Sequence, residues 1–206
     1  MKLVRVSLER GYYTATDPLV RWLVRVGIQP NTITTVGTLL VLASAVSYGV
    51  GSIRLGGALL LLSGALDTLD GSVARQGGAA TQFGAFYDST MDRISDGATF
   101  IGIATYLLHA PDVAFRELAI ILAMVATLAS LVVSYARARA QGLGIDCRVG
   151  LAQRAERVIG LGAASLLLGA GPRALVLEGI IAILALTSII TIVQRFHFVY
   201  RATRST

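Results

Sequence analysis

The chain has 206 residues, of which 54% are hydrophobic and 15% are charged. A soluble domain carries roughly a quarter of charged residues, so this composition excludes an ordinary soluble protein and predicts one membrane-embedded domain over residues 1–206. The net charge of +6 comes almost entirely from arginines between apolar runs, a distribution typical of membrane topology and anionic-lipid contact rather than of nucleic-acid binding.

The first 28 residues predict an amphipathic helix that lies in the membrane interface. Basic residues such as Arg21 and Arg25 alternate with apolar residues and Trp22, which is typical of interfacial helices. Charges occur throughout this stretch, so it lacks the apolar run of a secretory signal peptide. Pro30 marks the expected break before the next helix.

Six membrane-spanning helices are predicted to follow. Each is near or above the roughly 20 residues that cross a ~30 Å hydrocarbon core, and glycine or proline marks most joints. Their expected bounds are 32–50, 54–75, 83–108, 113–141, 151–170 and 174–197. The predicted fold class is therefore an all-α membrane protein, with a six-helix core at about 32–197 preceded by the interfacial helix.

The basic residues also predict the orientation of the chain. Six crossings place both termini on one side, together with every basic residue except Arg54, Arg116 and Arg173. Cytoplasmic loops carry an excess of lysine and arginine. We therefore expect a multi-pass protein of the cell membrane with both termini in the cytoplasm.

Carboxylates concentrate at the second and third predicted spans, where burying an unpaired one costs at least ~2.5–3.5 kcal/mol. Asp67 and Asp70 are three residues apart and Asp88 and Asp92 are four apart, so each pair lies on one helix face. The short loop between the spans makes them antiparallel neighbours, which brings both pairs together near the cytoplasmic ends. Four converging carboxylates require cations, and all-oxygen ligands suit Mg²⁺ or Mn²⁺. Two such ions are a known device for phosphoryl chemistry.

Other interpretations of intramembrane aspartates are helix-packing hydrogen bonds, proton relays and the transport site of an ion-coupled transporter. The neighbouring Gly71, Gly84 and Arg75 favour a substrate site, because the glycines clear space and arginine binds phosphate. A transporter is disfavoured because the chain has no second copy of the aspartate pairs and its acidic site lies near one face. Asp96 extends the same helix face, and we expect it to pair with Arg93 or Arg75.

This stretch resembles the signature of the CDP-alcohol phosphotransferase family, D-x2-D-G-x2-A-R-x8-G-x3-D-x3-D. Every fixed position of the signature is matched, with the same gaps. The matching residues are Asp67, Asp70, Gly71, Ala74, Arg75, Gly84, Asp88 and Asp92.

The resemblance implies transfer of a phosphatidyl group from CDP-diacylglycerol, or a related CDP-lipid, to the hydroxyl of a small alcohol with release of CMP. It implies two divalent ions (Mg²⁺ or Mn²⁺) on Asp67, Asp70, Asp88 and Asp92, with Asp92 also the general base, and it implies a homodimer. The residues implied to bind the CDP-lipid are Pro30, Asn31, Thr32, Ile33, Gly71, Ala74, Arg75, Thr81 and Gly84.

Four arginines at predicted cytoplasmic helix ends form a second candidate site: Arg137, Arg154, Arg157 and Arg195. An acceptor alcohol that carries a phosphate needs several charge-assisted donors, so we expect these guanidinium groups to bind it. The alternative is membrane anchoring, in which the same side chains reach anionic headgroups.

Three stretches of the second half resemble the phosphatidylinositol phosphate synthase branch of the family, which implies inositol phosphate as the acceptor. They are the Ser-Tyr-Ala-Arg-Ala-Arg-Ala, Arg-Ala-Glu-Arg and Gln-Arg-Phe-His stretches at 134–140, 154–157 and 194–197. Arg137 stands where that branch usually has lysine, and Gln153 and Ala155 replace its glutamate and proline. The alternative acceptor is glycerol 3-phosphate, which would give phosphatidylglycerol phosphate and use the same arginines.

Overall fold

The computed structural model describes residues 16–151 and 153–204. The described residues form helices joined by short loops, without a β-strand among them. Residues 16–26 form α1. The later helices are α2 (Pro30–Gly49), α3 (Ile53–Gln76), α4 (Gln82–His109), α5 (Arg116–Gln141), α6 (Arg154–Leu168) and α7 (Leu175–Arg204), with a 3₁₀ turn at Pro172–Ala174 before α7. The predicted all-α class is confirmed.

Among the described residues, four helical segments are long and apolar enough to cross a membrane: Pro30–Gly49, Ile53–Gln76, Arg116–Gln141 and Pro172–Arg204. The chain therefore has the character of a multi-pass membrane protein. The third predicted span, α4, is not one of these four segments. It is 28 residues long but contains the charged aspartates. The fifth, α6, has only 15 residues where the sequence predicted about 20, because Arg154 begins it and Gly169 ends it with a positive φ of 66°.

Helices α2 to α7 form a closed ring. Helix α2 packs against α3 and α4, helix α5 against α4 and α7, and helix α6 against α3 and α7. Helix α6 therefore packs directly on α3, although it is far from that helix in sequence. The sequence predicted that α3 and α4 are direct neighbours, but both helices pack on α2 rather than mainly on each other. The first residues of α6 thereby reach the carboxylates of both helices.

Glycines allow the closest helix contacts in this ring. A Cβ atom on Gly57 of α3 would lie 2.6 Å from the carbonyl oxygen of Gly162 in α6. A Cβ atom on Gly102 of α4 would overlap the backbone of Ala45 in α2. Such contacts between small residues are the usual means of close helix packing in membranes, where association depends on van der Waals contact.

The buried apolar core and the aspartates occupy different halves of the bundle. The largest core side chains are fully buried at the ends of α2 and α4 and the start of α7: Tyr48, Ile103, Leu107, Leu177 and Ile181. The opposite half contains the aspartates of α3 and α4. The packed half is thus available to hold the helices rigidly while the polar half stays open to ligands.

The N-terminal part of the predicted interfacial helix, residues 1–15, lies outside the described residues. Helix α1 docks on the bundle through Val20, which is 1% exposed and packs against Ile33, Leu69 and Val73. Trp22 on the same helix is exposed. Helix α1 therefore supports the start of α2 and the end of α3, the two segments that border the candidate site.

Candidate functional site

The two predicted aspartate pairs converge, and three of their members lie closest together. Asp67, Asp70 and Asp88 each place a carboxylate oxygen within 4.8 Å of the other two. Asp70 is buried, and its Oδ2 atom accepts a hydrogen bond of 2.7 Å from the Thr34 hydroxyl of α2. Three helices therefore build this cluster, with α2 supplying a neutral donor that orients one carboxylate.

The chemistry of the cluster fits a divalent cation. Its donors are all carboxylate oxygens, the ligand type that Mg²⁺ and Mn²⁺ prefer. Oxygens bound to one Mg²⁺ at 2.0–2.1 Å lie about 3–4 Å from one another, close to the spacing in this cluster. Mutual repulsion among three carboxylates also favours a bound cation.

Asp92, the fourth predicted ligand, contacts an arginine instead of joining this group of three. Its Oδ1 atom lies 3.1 Å from Nη2 of Arg154, and its Oδ2 atom lies 3.7 Å from Nη1 of Arg93. Nη1 of the same Arg154 lies 2.8 Å from Oδ2 of Asp67. Arg154 thus bridges one carboxylate of α3 and one of α4.

Asp96 has a different partner from the expected Arg93 or Arg75. It lies 2.5 Å from Nη2 of Arg157 and 3.8 Å from Nε of Arg154. The side chains of Asp96 and Arg157 are 9% and 4% exposed, so each neutralises the other in the interior. The expectation was wrong because it considered only the α3–α4 hairpin, whereas the partner comes from α6, 61 residues away in sequence.

A cavity of about 200 Å³ opens beside the carboxylates, between the starts of α2 and α4 and the end of α3. Seven of the nine predicted CDP-lipid residues line it: Pro30, Asn31, Gly71, Ala74, Arg75, Thr81 and Gly84. Asp70 and Asp88 also line it, so the carboxylate cluster forms part of its wall. Thr32 is exposed and Ile33 is buried against α1, and neither lines the cavity.

Two glycines keep this cavity open. A Cβ atom on Gly71 would lie 3.2 Å from Nη1 of Arg75, and one on Gly84 would lie 3.1 Å from the Thr81 hydroxyl. Thr81 in turn accepts a hydrogen bond of 2.9 Å from the amide of Gly84 and caps the start of α4. The motif glycines thus leave room for a ligand beside an arginine and a helix N-terminus.

A second, larger cavity of about 620 Å³ lies between α4 and α5. Its polar lining includes Asp88, Asp92, Arg93, Tyr135 and Arg137. Asp88 borders both cavities, so the carboxylate cluster lies where the two meet. The arrangement can therefore place two different ligands on either side of one set of carboxylates.

The four predicted acceptor arginines do not lie together. Arg137 lines the larger cavity, whereas Arg154 and Arg157 contact the aspartates described above. Arg195 is 3% exposed, and it donates a hydrogen bond of 3.0 Å to the Val149 carbonyl and another to the carbonyl of Val133. Arg195 therefore ties α5 and the loop that follows it to α7, and it lines neither of the two cavities.

Thr34 is a site residue that the sequence interpretation missed. It lines the smaller cavity and hydrogen-bonds Asp70, one helical turn after Pro30. The signal was present in the sequence, because residues four apart share a helix face. A search along α2 for polar residues on the face of Pro30 would have identified it.

Comparison with known proteins connects this geometry to a family. The CDP-alcohol phosphatidyltransferase family model matches residues 28–194. The archaetidylinositol phosphate synthase of Methanothermobacter thermautotrophicus is 40% identical over 177 residues, which cover 86% of each chain. The phosphatidylinositol phosphate synthase of Mycobacterium tuberculosis is 37% identical over 191 residues, covering 90% of this chain and 85% of the relative.

Solved structures of that Mycobacterium tuberculosis synthase are similar in fold. Its crystal structure with CDP-DAG bound gives a TM-score of 0.78 at 35% identity and covers 90% of this chain and 93% of the relative. Its crystal structure in complex with manganese and citrate gives the same TM-score. Both the sequence match across most of the chain and the shared fold show that this protein belongs to the CDP-alcohol phosphatidyltransferase family of enzymes.

Proposed function

We propose that this enzyme transfers a phosphatidyl-type group from a CDP-lipid to a hydroxyl of inositol phosphate and releases CMP. The observation that carries the proposal is the meeting of two cavities at the aspartates. The smaller cavity has the motif residues and fits the CDP end of the donor. The larger one has Arg137 and fits a phosphorylated alcohol, so donor and acceptor would meet at Asp88 and Asp92.

The four aspartates would hold two divalent ions, Mg²⁺ or Mn²⁺, on Asp67, Asp70, Asp88 and Asp92. When bound, such ions polarise the donor pyrophosphate and stabilise the charge that develops on CMP. Thr34 keeps the carboxylate of Asp70 in place through its hydrogen bond. Membership in a family with a relative crystallised with manganese supports a divalent cofactor.

Asp92 is proposed as the general base because it lines the larger cavity beside the metal cluster. Its carboxylate would take the proton of the acceptor hydroxyl, whose oxygen bonds to the lipid-side phosphorus. The bond from that phosphorus to CMP breaks, and CMP leaves with its electron pair. Arg75, at the wall of the smaller cavity, is placed to donate hydrogen bonds to the donor pyrophosphate.

The start of α2 and the α3–α4 turn are proposed to bind the nucleotide of the donor. Pro30, Asn31, Gly71, Ala74 and Thr81 would contact it directly, with Gly84 keeping the cavity clear. Thr32 and Ile33 would contribute through the helix start that they form, since Ile33 anchors that start against Val20. The names of the two relatives support either an archaetidyl or a phosphatidyl donor.

Inositol phosphate is proposed as the acceptor because both relatives are named as synthases of an inositol phosphate lipid. Arg137 would bind the acceptor phosphate from the wall of the larger cavity. Arg154, Arg157 and Arg195 are proposed to complete that phosphate site. Without a ligand, these three arginines contact carboxylates or backbone carbonyls of the protein. Each would have to leave that contact to bind the acceptor phosphate.

We further propose that residues 1–206 form one domain that crosses the cell membrane six times and assembles as a homodimer. Both termini and the active site would lie on the cytoplasmic side. Ion pairs inside the bundle support the proposal that α4 crosses the membrane, since Asp92 and Asp96 pair with Arg154 and Arg157 of α6. Helix α6 is about 22 Å long, which nearly spans a ~30 Å core together with the loop that follows.

The decisive test is CMP release by purified protein in detergent, with CDP-diacylglycerol or its archaeol-type counterpart, Mg²⁺ and a panel of alcohols. Inositol phosphate should support turnover, whereas unphosphorylated inositol should not, because it lacks the group that the arginines bind. Release only with glycerol 3-phosphate would assign that acceptor instead. No release with any alcohol would refute the proposed activity.

Replacing Arg137 with alanine is expected to raise the KM for inositol phosphate by about tenfold or more, since a charge-assisted hydrogen bond contributes about 1.5–3 kcal/mol. The KM for the CDP-lipid should change little, because Arg137 lines the acceptor cavity and not the donor cavity. Arg139→Ala is a matched control, since this exposed residue lies two positions further on and lines neither cavity. Equal increases in both KM values would argue against a separate acceptor site.

A further inference from the structure

Arg154 occupies the centre of the acidic site. Its guanidinium lies 2.8 Å from Asp67 and 3.1 Å from Asp92, and its Nε lies 3.8 Å from Asp96. That Nε atom is buried and has no hydrogen-bond partner. One guanidinium is therefore surrounded by carboxylates of two helices without fully satisfying its own donors.

This position divides the four proposed metal ligands into two groups. Asp67, Asp70 and Asp88 converge within 4.8 Å, a geometry suited to one cation. Asp92 instead contacts Arg154, which also engages Asp67. Asp67 and Asp92 would hold a second ion only in the place that the Arg154 guanidinium occupies, so the ion and the arginine would compete for the same carboxylate oxygens.

We propose that Arg154 is a built-in counter-ion that holds the place of the second divalent ion and leaves Asp67 and Asp92 when that ion binds. The proposal rests on the proposed function, because it assumes the two-ion site. It adds an order of events: one ion binds to the preformed carboxylates, and the second binds only by displacing an arginine.

The structure allows Arg154 to leave without exposing a new buried charge. Asp96 keeps its closest partner, Arg157, whose side chain is 4% exposed and lies 2.5 Å away. Asp67 and Asp92 exchange one cation for another. Arg154 itself is the first residue of α6, its side chain is 20% exposed, and the preceding Gln153 makes no side-chain cap. It is therefore less constrained than an arginine in the middle of a packed helix.

Release of Arg154 would also affect the acceptor. Asp92 lines the larger cavity, and Arg154 lies against Asp92. Asp92 therefore links the position of Arg154 to the cavity that Arg137 lines. Metal loading would thereby supply a second cation to the acceptor phosphate, so that the acceptor site is completed only after the metal site.

The test measures metal binding without substrate. Wild-type protein in detergent is titrated with Mn²⁺, and the free ion is followed by electron paramagnetic resonance. Wild type should show two classes of site of different affinity. In Arg154→Ala, the weaker class should bind about tenfold or more tightly, because the arginine no longer has to be displaced from two carboxylates. The stronger class should change less.

Arg148→Ala serves as the control for loss of one positive charge, since Arg148 pairs with Asp146 and its side chain is 74% exposed. It should leave both classes unchanged. If Arg154→Ala does not fold, Arg154→Gln removes the charge, retains a hydrogen-bond donor and should shift the weaker class in the same direction.

The proposal is overturned if wild type shows a single class of site, or if the weaker class is unchanged or weaker in the Arg154 variant. Failure of the proposed function looks different, since no CMP would be released although the Mn²⁺ isotherms could still shift as expected. Conversely, wild-type turnover with identical isotherms in both proteins would reject only the role of Arg154.

Discussion

Replacing Asp92 with asparagine should lower kcat for CMP release by about 10²–10⁴-fold, the usual contribution of a general base. Asparagine has nearly the same shape, but its amide cannot accept the proton of the acceptor hydroxyl. The CDP-lipid should still bind, because Asp92 does not line the smaller cavity. Single-turnover CMP release and equilibrium binding of the CDP-lipid, each measured with saturating Mn²⁺, separate these two effects.

Saturating metal is needed because Asp92 is also a proposed metal ligand, and weaker ion binding in the variant could lower turnover by itself. Asp146→Asn is the matched control, since this aspartate lies on the loop after α5 with a side chain 60% exposed and lines neither cavity. It should leave kcat unchanged. Full activity of Asp92→Asn would reject Asp92 as the base without bearing on the proposed metal ligands Asp67, Asp70 and Asp88.

Replacing Gly102 with alanine should destabilise the protein by about 1–3 kcal/mol or more, because an added methyl group would overlap the backbone of Ala45. A backbone atom cannot move aside as a flexible side chain can, so α2 and α4 would have to separate. These two helices provide Thr34, Asp88 and Asp92, and we therefore expect activity to fall together with stability. The expected change in Tm is on the order of 5–10 °C in detergent.

Gly97 provides the matched control on the same helix. A Cβ atom added there would meet no atom within 4 Å. Gly97→Ala should therefore leave Tm unchanged or raise it slightly, since alanine favours helix by about 1 kcal/mol over glycine. If both variants lowered Tm equally, the contact between α2 and α4 would not explain the effect of Gly102.

Local sequence patterns predicted most of the helices and the core of the site. The spacing of Asp67, Asp70, Asp88 and Asp92 predicted two helix faces, and the short turn between the helices predicted that these faces meet. The structure brings three of these carboxylates together beside Arg75 and the two motif glycines. Helical periodicity restricts which side chains of one helix can be neighbours. The two helices meet at these carboxylates although both pack on α2 rather than mainly on each other.

Local patterns did not predict the partners of the arginines in the second half. A row of cationic helix ends suggested one shared phosphate site, whereas the structure gives Arg154, Arg157 and Arg195 three different sets of partners. A charge at a helix end is equally compatible with lipid, ligand or a carboxylate elsewhere in the fold. The choice depends on which helices pack together.

The sequence by itself determined the family and the helical class and predicted the four aspartates as the site, because each depends on residues that are near one another along the chain. Only the tertiary structure decided that α6 packs on α3 beside the aspartates, and hence that Arg154 bridges Asp67 and Asp92 while Arg157 neutralises Asp96. The physical reason is that a buried charge must find an opposite charge within a few ångströms. The packing of the helices into a ring decides which charge lies that close, and this packing depends on close contacts such as that between Gly57 of α3 and Gly162 of α6.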